Sequence, residues 1–420
     1  MVNRIDFKAK NLTSNAGIFL LLENAKSNDI FELIERELVF DTESTNKIKM
    51  NHIKTMLCGH FIGIDKLERL KLLQNDPLIT EFDISVKQPE TVSRFLGNFS
   101  FKTTQMFRDI NFKVFKRLLS KSKIKSITID IDSSVINVEG HQEGAAKGYN
   151  PKKLGNRCYN IQFAFCDDLK AYITGFMRSG NTYTANGAAE MIKEIVANIK
   201  TDDLEIMFRM DSGYFDEEII EAIESTECKY LIKGKVYPTL ALQVTDPSLR
   251  FVRGEEGRET TELFTKLNTW DKDRRFVVSR VLKPEKDRMQ MSLIEGDDYQ
   301  YFFFVTNTEL PSEKVVISYE KRGNCENYIK EAKYDMAVGH LLLKSFWANE
   351  AIFQMMMLAY NLFLLFKFDF LSVSEYRQQI KTFRLKYVFL AGKIIKTARY
   401  VIMKLSEKYP YKDVYEKCLV

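Results

Sequence analysis

One stretch of the chain, Ile317 to Met336 (ISYEKRGNCENYIKEAKYDM), carries side chains suited to phosphodiester chemistry at helical spacing. If it is a single helix, each residue advances by about 100°, and one face within about 60° holds Tyr319, Arg322, Glu326 and Lys333, with Lys330 close beside them. A helix that packs against a protein core carries apolar residues at this spacing, whereas this face carries polar and charged ones. A phosphodiester with bound Mg²⁺ would instead use the carboxylate for the metal, the cations for phosphates and the phenol for stacking or hydrogen bonding. The alternative is a solvated face crossed by ion pairs.

Two further carboxylates lie on a predicted strand. Residues 126–138 (SITIDIDSSVINV) are rich in β-branched residues and begin with strict alternation, which predicts a strand. Asp130 and Asp132 are two residues apart and therefore project from the same face. Burying both is costly unless they are paired or bind a metal. One of them could instead cap the strand end.

A third acid, Asp211, ends another predicted strand, residues 204–210, and precedes the small-residue turn Ser-Gly. Open α/β sheets keep their sites at this edge. The alternative is that Asp211 caps the following helix. Asp216 is better placed for that cap, which leaves Asp211 for other chemistry.

Three carboxylates from separate elements can converge on two divalent ions. Two such ions would activate a water or a 3′-hydroxyl and stabilise the leaving oxygen during attack on phosphorus. Mg²⁺ suits this role because it takes few protein carboxylates and keeps positions for phosphate oxygens. The four histidines of the chain are too few to predict acid–base catalysis by histidine.

The elements around these acids predict several modules. Residues 1–120 read as a helical region, 121–234 as the first part of an α/β core, 235–305 as a β-rich insertion, 306–370 as the rest of the core and 371–420 as a basic region with 11 Lys/Arg against 4 Asp/Glu. A glycine-rich segment after the first acids predicts a long loop with a basic tip, Lys147, Lys152, Lys153 and Arg157. Within the insertion, Trp270 could stack on a base or fold back onto the insertion.

Composition bounds the class of protein. The 420 residues, 45% hydrophobic and 12% aromatic, exclude a disordered chain. The net charge of +5 gives no global field for nucleic acid, although the basic segments suit phosphate contact. Six scattered cysteines support neither zinc nor disulfides. We expect a cytoplasmic protein without a membrane span, in which the apolar run from Ala351 to Phe368 is a core helix because it contains polar residues.

The motif also resembles a known family. The spacing Tyr319-x2-Arg322-x3-Glu326-x6-Lys333 matches the Y-(2)-R-(3)-E-(6)-K motif of bacterial insertion-sequence DDE transposases. The segments DSS at Asp132 and DSGYF at Asp211, and the loop GHQEGAAKGYNPKK, resemble the group 1 branch of that family. Ser134 stands where the family usually has threonine, and the extra Asp130 leaves the choice of the metal-binding acid at this strand open, with D-x-[ST] favouring Asp132.

The resemblance implies a ribonuclease H-like core with a β-strand insertion and a helical amino-terminal domain that binds DNA ends. The catalytic, metal-binding triad would be Asp132, Asp211 and Glu326, with two Mg²⁺ ions for which Mn²⁺ may substitute. Tyr319, Arg322 and Lys333 would contact the transposon-end strand, and Trp270 would match a tryptophan that stacks on a flipped base in some relatives. From its place beside these residues on the helix, we expect Lys330 to bind nucleic acid as well.

The activity implied is cut-and-paste transposition by a bacterial, nucleoid-associated enzyme acting on double-stranded DNA. Its substrates would be terminal inverted repeats and target DNA, with a homodimer joining two ends through hairpin intermediates. A stand-alone ribonuclease H-like nuclease and a domesticated DNA-binding protein are the alternatives. The second would be expected to lack an acid, and none of the three is missing.

Overall fold

The structure is a computed structural model that describes residues 3–40, 46–150, 153–254, 258–283, 298–340 and 342–418. It is a mixed α/β structure in which helices flank one large sheet. The predicted α/β class is therefore confirmed.

The amino-terminal part is mainly helical. It contains the short strand β1 (Leu12–Thr13), a 3₁₀ helix at Leu67–Leu73, and the helices α1 (Ile18–Ser27), α2 (Ile30–Glu37), α3 (Asn46–Ile62), α4 (Pro77–Glu81), α5 (Pro89–Leu96) and α6 (Phe101–Ser122). The longest, α6, starts with a capping box in which Ser100 and Thr103 satisfy each other's backbone N–H groups. It packs on the large sheet and on a later core helix.

Ten strands of the described chain form the large sheet: β2 (Ser126–Asn137), β3 (Ala146–Lys147), β4 (Arg157–Cys166), β5 (Ala171–Ser179), β6 (Glu205–Met210), β7 (Lys229–Lys233), β8 (Val252–Arg253), β9 (Glu259–Thr265), β10 (Arg274–Leu282) and β11 (Tyr299–Thr306). The order across it is β3-β4-β2-β6-β7-β11-β10-β9-β8, and β5 pairs with β4. The β2, β6 and β7 strands are parallel, and the other pairs are antiparallel. The strands between 235 and 305 thus extend the sheet on the β7 side.

The remaining helices and strands cover the sheet and the carboxyl-terminal end. They are α7 (Ala188–Ile199), α8 (Glu217–Glu224), α9 (Pro238–Val244), α10 (Ser312–Glu320), α11 (Gly323–Tyr334), α12 (Phe346–Phe370), α13 (Val373–Tyr376), α14 (Ile380–Phe383), a π-helical turn Arg384–Val388, β12 (Gly392–Lys396), β13 (Val401–Lys404) and α15 (Lys412–Cys418). The β1, β12 and β13 strands make a second, three-stranded sheet.

The alternation of β2 sets the position of the acids. The isoleucines on one face are at most 1% exposed: Ile127, Ile129 and Ile131. Asp130 and Asp132 alternate with them and project from the opposite face. Because β2 and β6 are parallel with Asp130 opposite Arg209, continuing this register brings Asp211 beside Asp132.

Helix α12 is a core helix. Among the described residues it is the one helix long and apolar enough to cross a membrane, and 94% of its most apolar window is buried in the protein. Its polar residues bond to β5: Asn361 accepts from Tyr172 N (3.0 Å) and donates to Tyr172 O (2.7 Å), and Gln354 donates to Gly175 O (2.8 Å). The interpretation of this run as a buried helix is confirmed.

Candidate active site

A cavity of about 900 Å³ opens where β2 and β6 approach α11. Its lining includes all three acids predicted from the sequence, Asp132, Asp211 and Glu326, together with Arg322 and Lys330. Residues from three separate elements, far apart in sequence, therefore face one space.

Asp132 is the more enclosed of the two aspartates. Its side chain is 17% exposed, against 37% for Asp211, and its Oδ1 accepts a hydrogen bond from Ser133 N at 2.8 Å. Burial raises the pKa of Asp132 to about 6; the nearby Arg322 opposes the rise and Asp211 adds to it. The environment thus disfavours an isolated negative charge here and favours one with a cation close by.

Asp211 starts the segment after β6. Its Oδ1 accepts from Gly213 N at 2.8 Å and so caps the short 3₁₀ turn Ser212–Tyr214. The cap of α8 is formed by Asp216, which accepts from Glu218 N at 3.0 Å. As the sequence predicted, Asp216 and not Asp211 caps this helix. Asp211 Oδ2 instead faces the guanidinium of Arg322 in the cavity.

The stretch predicted as one helix is two helices, although Arg322, Glu326, Lys330 and Lys333 still line the same cavity. Helix α10 ends at Glu320 and α11 begins at Gly323. In a continuous helix Arg322 N would bond to Ser318 O, four residues earlier. Here Arg209 Nη1 donates to Ser318 O at 2.6 Å, and Arg322 N bonds to Tyr319 O at 2.9 Å. A contact from β6 therefore accompanies the break.

The break leaves Arg322 between the two aspartates. Its Nη2 lies 3.0 Å from Asp132 Oδ2 and 3.5 Å from Asp211 Oδ2. The residue is 8% exposed, and its Nε has no hydrogen-bond partner among the described residues. One guanidinium thus balances two carboxylates that would otherwise repel each other.

Glu326 faces the cavity from the first turn of α11. Its side chain is 57% exposed, and its Oε2 lies 3.8 Å from Lys330 Nζ one turn later. Tyr334 follows after another turn and is 68% exposed. These three residues form an open stripe on the cavity side of the helix.

A family model describes nearly the whole chain. The model for the transposase DDE domain, group 1, matches residues 3–420. This chain is a member of that transposase family. The resemblance to the DDE transposases of group 1 and the predicted enzyme class, a DDE DNA transposase, are confirmed.

Two other comparisons add little to the family match. Among solved structures, the transposase is similar to the piggyBac transposase synaptic complex with hairpin DNA, at 10% identity and a TM-score of 0.44, over 90% of this chain and 80% of that one. None of the curated proteins matches it.

Two motif residues of the transposase are engaged within the protein. Lys333 Nζ donates to Ser134 Oγ (2.7 Å) and Val135 O (2.8 Å), so it joins α11 to β2 just beyond Asp132. Tyr319 packs on Phe304, with ring centroids 4.9 Å apart. The sequence predicted DNA contacts for both, and the Ser134 hydroxyl, which a threonine would also offer, accepts from Lys333.

The two alternatives for Trp270 are resolved in favour of the folded-back one. The indole is 6% exposed, stacks on Phe276 (5.7 Å, 22°), contacts Phe215 (5.2 Å) and lies under Arg274. Trp270 is therefore not exposed for stacking on a base here, because its ring is buried among Phe215, Phe276 and Arg274.

The basic loop is described in part. Lys147 lies on β3 and is exposed, and Lys153 Nζ lies 3.4 Å from Glu139. Lys152, also predicted to contact DNA, lies outside the described residues.

Exposed tyrosines around the cavity were missed by the sequence analysis. Tyr149 is 81% exposed, Tyr183 78% and Tyr334 68%, and all three line the cavity. The buried Arg178 fixes the loop of Tyr183 by donating to Tyr183 O (3.3 Å) and Thr184 O (3.1 Å). In the sequence, Tyr149 and Tyr334 were distinguished only by lying near lysines that were predicted to contact DNA.

The acids of the transposase do not form a closed metal cage in this arrangement. Within the described ranges, no three His, Cys, Asp or Glu side chains are close enough to hold one ion together. The Arg322 guanidinium lies where a cation would meet both aspartates. DDE transposases use divalent metal ions, and an all-carboxylate donor set fits such hard cations.

Proposed function

We propose that this transposase catalyses cut-and-paste movement of an insertion sequence, with Asp132, Asp211 and Glu326 as its catalytic, metal-binding residues. The observation that carries the proposal is that these carboxylates, from β2, the end of β6 and α11, line one cavity. Two of them already share a cation, Arg322. Enclosing Asp132 next to a second carboxylate, Asp211, is costly unless a positive charge is part of the site.

We propose a ribonuclease H-like core for this site. The strand order β5-β4-β2-β6-β7 supports it: numbered along the chain, these five strands read 3-2-1-4-5, the first three antiparallel and the last two parallel to the first. In this division residues 121–234 and 306–370 form the core, and 235–305 form the insertion. Residues 1–120 would bind DNA ends, and 371–420 would form a basic flank.

The metal proposed is Mg²⁺, two ions per site, with Mn²⁺ as a substitute. Bound there, the ions would supply activation of the attacking hydroxyl and stabilisation of the leaving oxygen. The chain's own part is to hold the ions with Asp132 and Asp211 on the sheet and Glu326 on α11. Arg322 has to withdraw from the aspartates for this, and a DNA phosphate is a suitable partner for its guanidinium.

The DNA partner proposed is double-stranded: the terminal inverted repeats and the target. Lys330 and the exposed Lys147 stand at the cavity and on β3, where they can neutralise phosphates. Tyr319, Arg322 and Lys333 would exchange their present protein contacts for contacts to the transferred strand. Two copies of the chain would bring two ends together, with hairpins as intermediates, in the bacterial cytoplasm at the nucleoid.

The test is cleavage of the DNA that flanks the gene. Wild-type protein with Mg²⁺ or Mn²⁺ is expected to nick at the element's ends, and pre-cleaved ends are expected to join target DNA. Cleavage without joining would indicate a stand-alone nuclease. End binding without cleavage under any divalent ion would refute the catalytic proposal and indicate a DNA-binding protein.

A further inference from the structure

A buried ion cluster lies beside the three acids without belonging to the cavity. Its centre is Arg209, which is 1% exposed. Its members flank the three acids along the chain. Asp130 stands two residues before Asp132, and Arg209 stands two residues before Asp211. Asn324 and Tyr328 stand two residues before and after Glu326, and Asp167 joins them to Arg209, which binds Asp130.

Arg209 binds two aspartates from different parts of the sheet. Its Nε and Nη2 donate to Asp130 Oδ1 (2.6 Å) and Oδ2 (2.8 Å), and Nη2 also donates to Asp167 Oδ2 (2.9 Å). Asp130 is fully buried, and both of its oxygens accept from this guanidinium. The sequence left open whether Asp130 shares the metal role of Asp132. Asp130 does not line the cavity, and both of its carboxylate oxygens are bound by Arg209.

Asp167 carries the connection to α11. It lies in the turn after β4, and its Oδ1 accepts from Tyr328 Oη at 2.8 Å and from Asn324 Nδ2 at 3.3 Å. These two donors bracket Glu326. The helix that presents Glu326 is thereby attached to the sheet that presents both aspartates.

Arg209 also forms a hydrogen bond at the break before that helix. Its remaining nitrogen, Nη1, donates to Ser318 O at 2.6 Å, the carbonyl that a continuous helix would offer to Arg322 N. A lysine has three N–H donors and no planar guanidinium, so it cannot serve these four acceptor atoms with the same geometry. One side chain thus fixes β2, β6, the turn after β4 and the break before α11.

We propose that Arg209 is the positioning residue of the active site, and that its cluster with Asp130 and Asp167 sets the separation between Glu326 and the two aspartates. This inference rests on the proposed function, because it gives the cluster the task of holding three metal-binding carboxylates in register. Partners behind metal ligands commonly change metal affinity by about 10- to 100-fold when they are altered.

The experiment compares mild and strong changes in the cluster with a matched control. Tyr328→Phe removes one hydroxyl, with its hydrogen bonds to Asp167 Oδ1 (2.8 Å) and Asp167 O (3.4 Å), and leaves all charges paired. Arg209→Lys keeps the charge and loses the planar guanidinium. The control is Tyr230→Phe, because Tyr230 Oη also donates (2.9 Å) to a carboxylate, Glu224, that pairs with a buried arginine, Arg274, away from the cavity. Two quantities are measured without DNA: backbone hydrogen exchange in residues 318–334, and Mn²⁺ binding from the loss of the free-ion electron paramagnetic resonance signal.

We expect faster exchange in residues 318–334 and weaker Mn²⁺ binding, by about threefold in Tyr328→Phe and about tenfold or more in Arg209→Lys. Tyr230→Phe should leave both quantities at the wild-type level while lowering the melting temperature slightly. Unchanged Mn²⁺ binding in both cluster variants would overturn the inference, even if exchange increased, since the cluster would then only stabilise the fold. Wild-type protein that binds Mn²⁺ but fails to cleave flanking DNA would refute the proposed function and leave the variant ratios interpretable.

Discussion

Arg322 Nη2 lies 3.0 Å from Asp132 Oδ2, and the guanidinium is buried against the carboxylate. This ion pair occupies the Asp132 carboxylate, which the proposed metal site would need as a ligand. If Asp132 binds metal as proposed, metal ions and Arg322 would compete for it while DNA is absent.

This competition can be measured. In Arg322→Ala, Mn²⁺ binding to DNA-free protein is expected to become about tenfold tighter, equivalent to ~1.4 kcal/mol, because a competing cation is removed. Lys321→Ala, which removes an exposed neighbouring charge, is the control and should change Mn²⁺ affinity little. Equal or weaker Mn²⁺ binding in Arg322→Ala would show that the arginine does not hold the site closed.

Glu326→Gln is expected to abolish strand cleavage while end binding stays within about twofold of wild type, since the amide cannot replace a carboxylate as a ligand of a hard cation. Gel-shift and nicking assays on flanking DNA measure the two properties. Glu320→Gln, on α10 and paired with Arg258, is the matched control and should cleave normally. Nicking by Glu326→Gln at the wild-type rate would reject the triad.

Lys330 and Lys333 are predicted to behave differently although both belong to the motif helix. Lys330 is 61% exposed, so Lys330→Ala should weaken DNA binding and reduce the salt dependence by about one phosphate contact. Lys333 bonds to Ser134 and Val135, so Lys333→Ala should also lower the free energy of unfolding, by about 1–2 kcal/mol. Salt titrations and urea unfolding of both variants separate the effects, and identical profiles would contradict the assignment.

Trp270→Ala should destabilise the protein by about 3–5 kcal/mol, because it empties a position packed between Phe215 and Phe276. Tyr183→Ala should instead leave stability within ~0.5 kcal/mol and weaken binding of end DNA, because its ring is exposed at the cavity. Tyr183→Phe, which keeps the ring, should restore binding. Loss of DNA binding in a folded Trp270→Ala protein, with no loss in Tyr183→Ala, would reverse this assignment.

His60 is expected to make the protein acid-sensitive. It is 1% exposed, neither ring nitrogen has a hydrogen-bond partner among the described residues, and burial, with Arg384 nearby, lowers its pKa to about 3. Between about pH 6.5 and 3 the unfolded chain binds a proton that the folded chain does not. The stability should therefore fall with decreasing pH in this window, by up to ~1.4 kcal/mol per pH unit from this group.

Urea unfolding between pH 7 and 5 tests the slope. His60→Gln should reduce it, whereas His141→Gln, at an exposed position, should not. The same slope in His60→Gln as in wild type would assign the acid sensitivity to other groups.

The elements that bear the acids were predictable from local pattern. The β-branched alternation before Asp132 gave β2, observed as Ser126–Asn137, and the apolar run before Asp211 gave β6. Both signals are properties of a few consecutive residues, because the face of a strand is set by its two-residue period. The burial of α12 was predictable in the same way.

The arrangement within the site was not predictable, because it depends on contacts between distant residues. The helix break at Arg322 accompanies a contact from Arg209, more than a hundred residues earlier, and helical periodicity carries no sign of it. Asp130 finds its partner 79 residues later. Trp270 had two possible environments in the sequence, and only the packing of Phe215 and Phe276 decides between them.

The pairing of β1 with β12 joins Leu12 to Lys393, about 380 residues apart. A nascent chain leaving the ribosome can form helices α1 to α6 as they emerge, but β12, the strand that pairs with β1, is synthesised about 380 residues later. The small sheet can thus close only after residue 393 has been synthesised, and a chain interrupted before residue 392 would lack the strand with which β1 pairs.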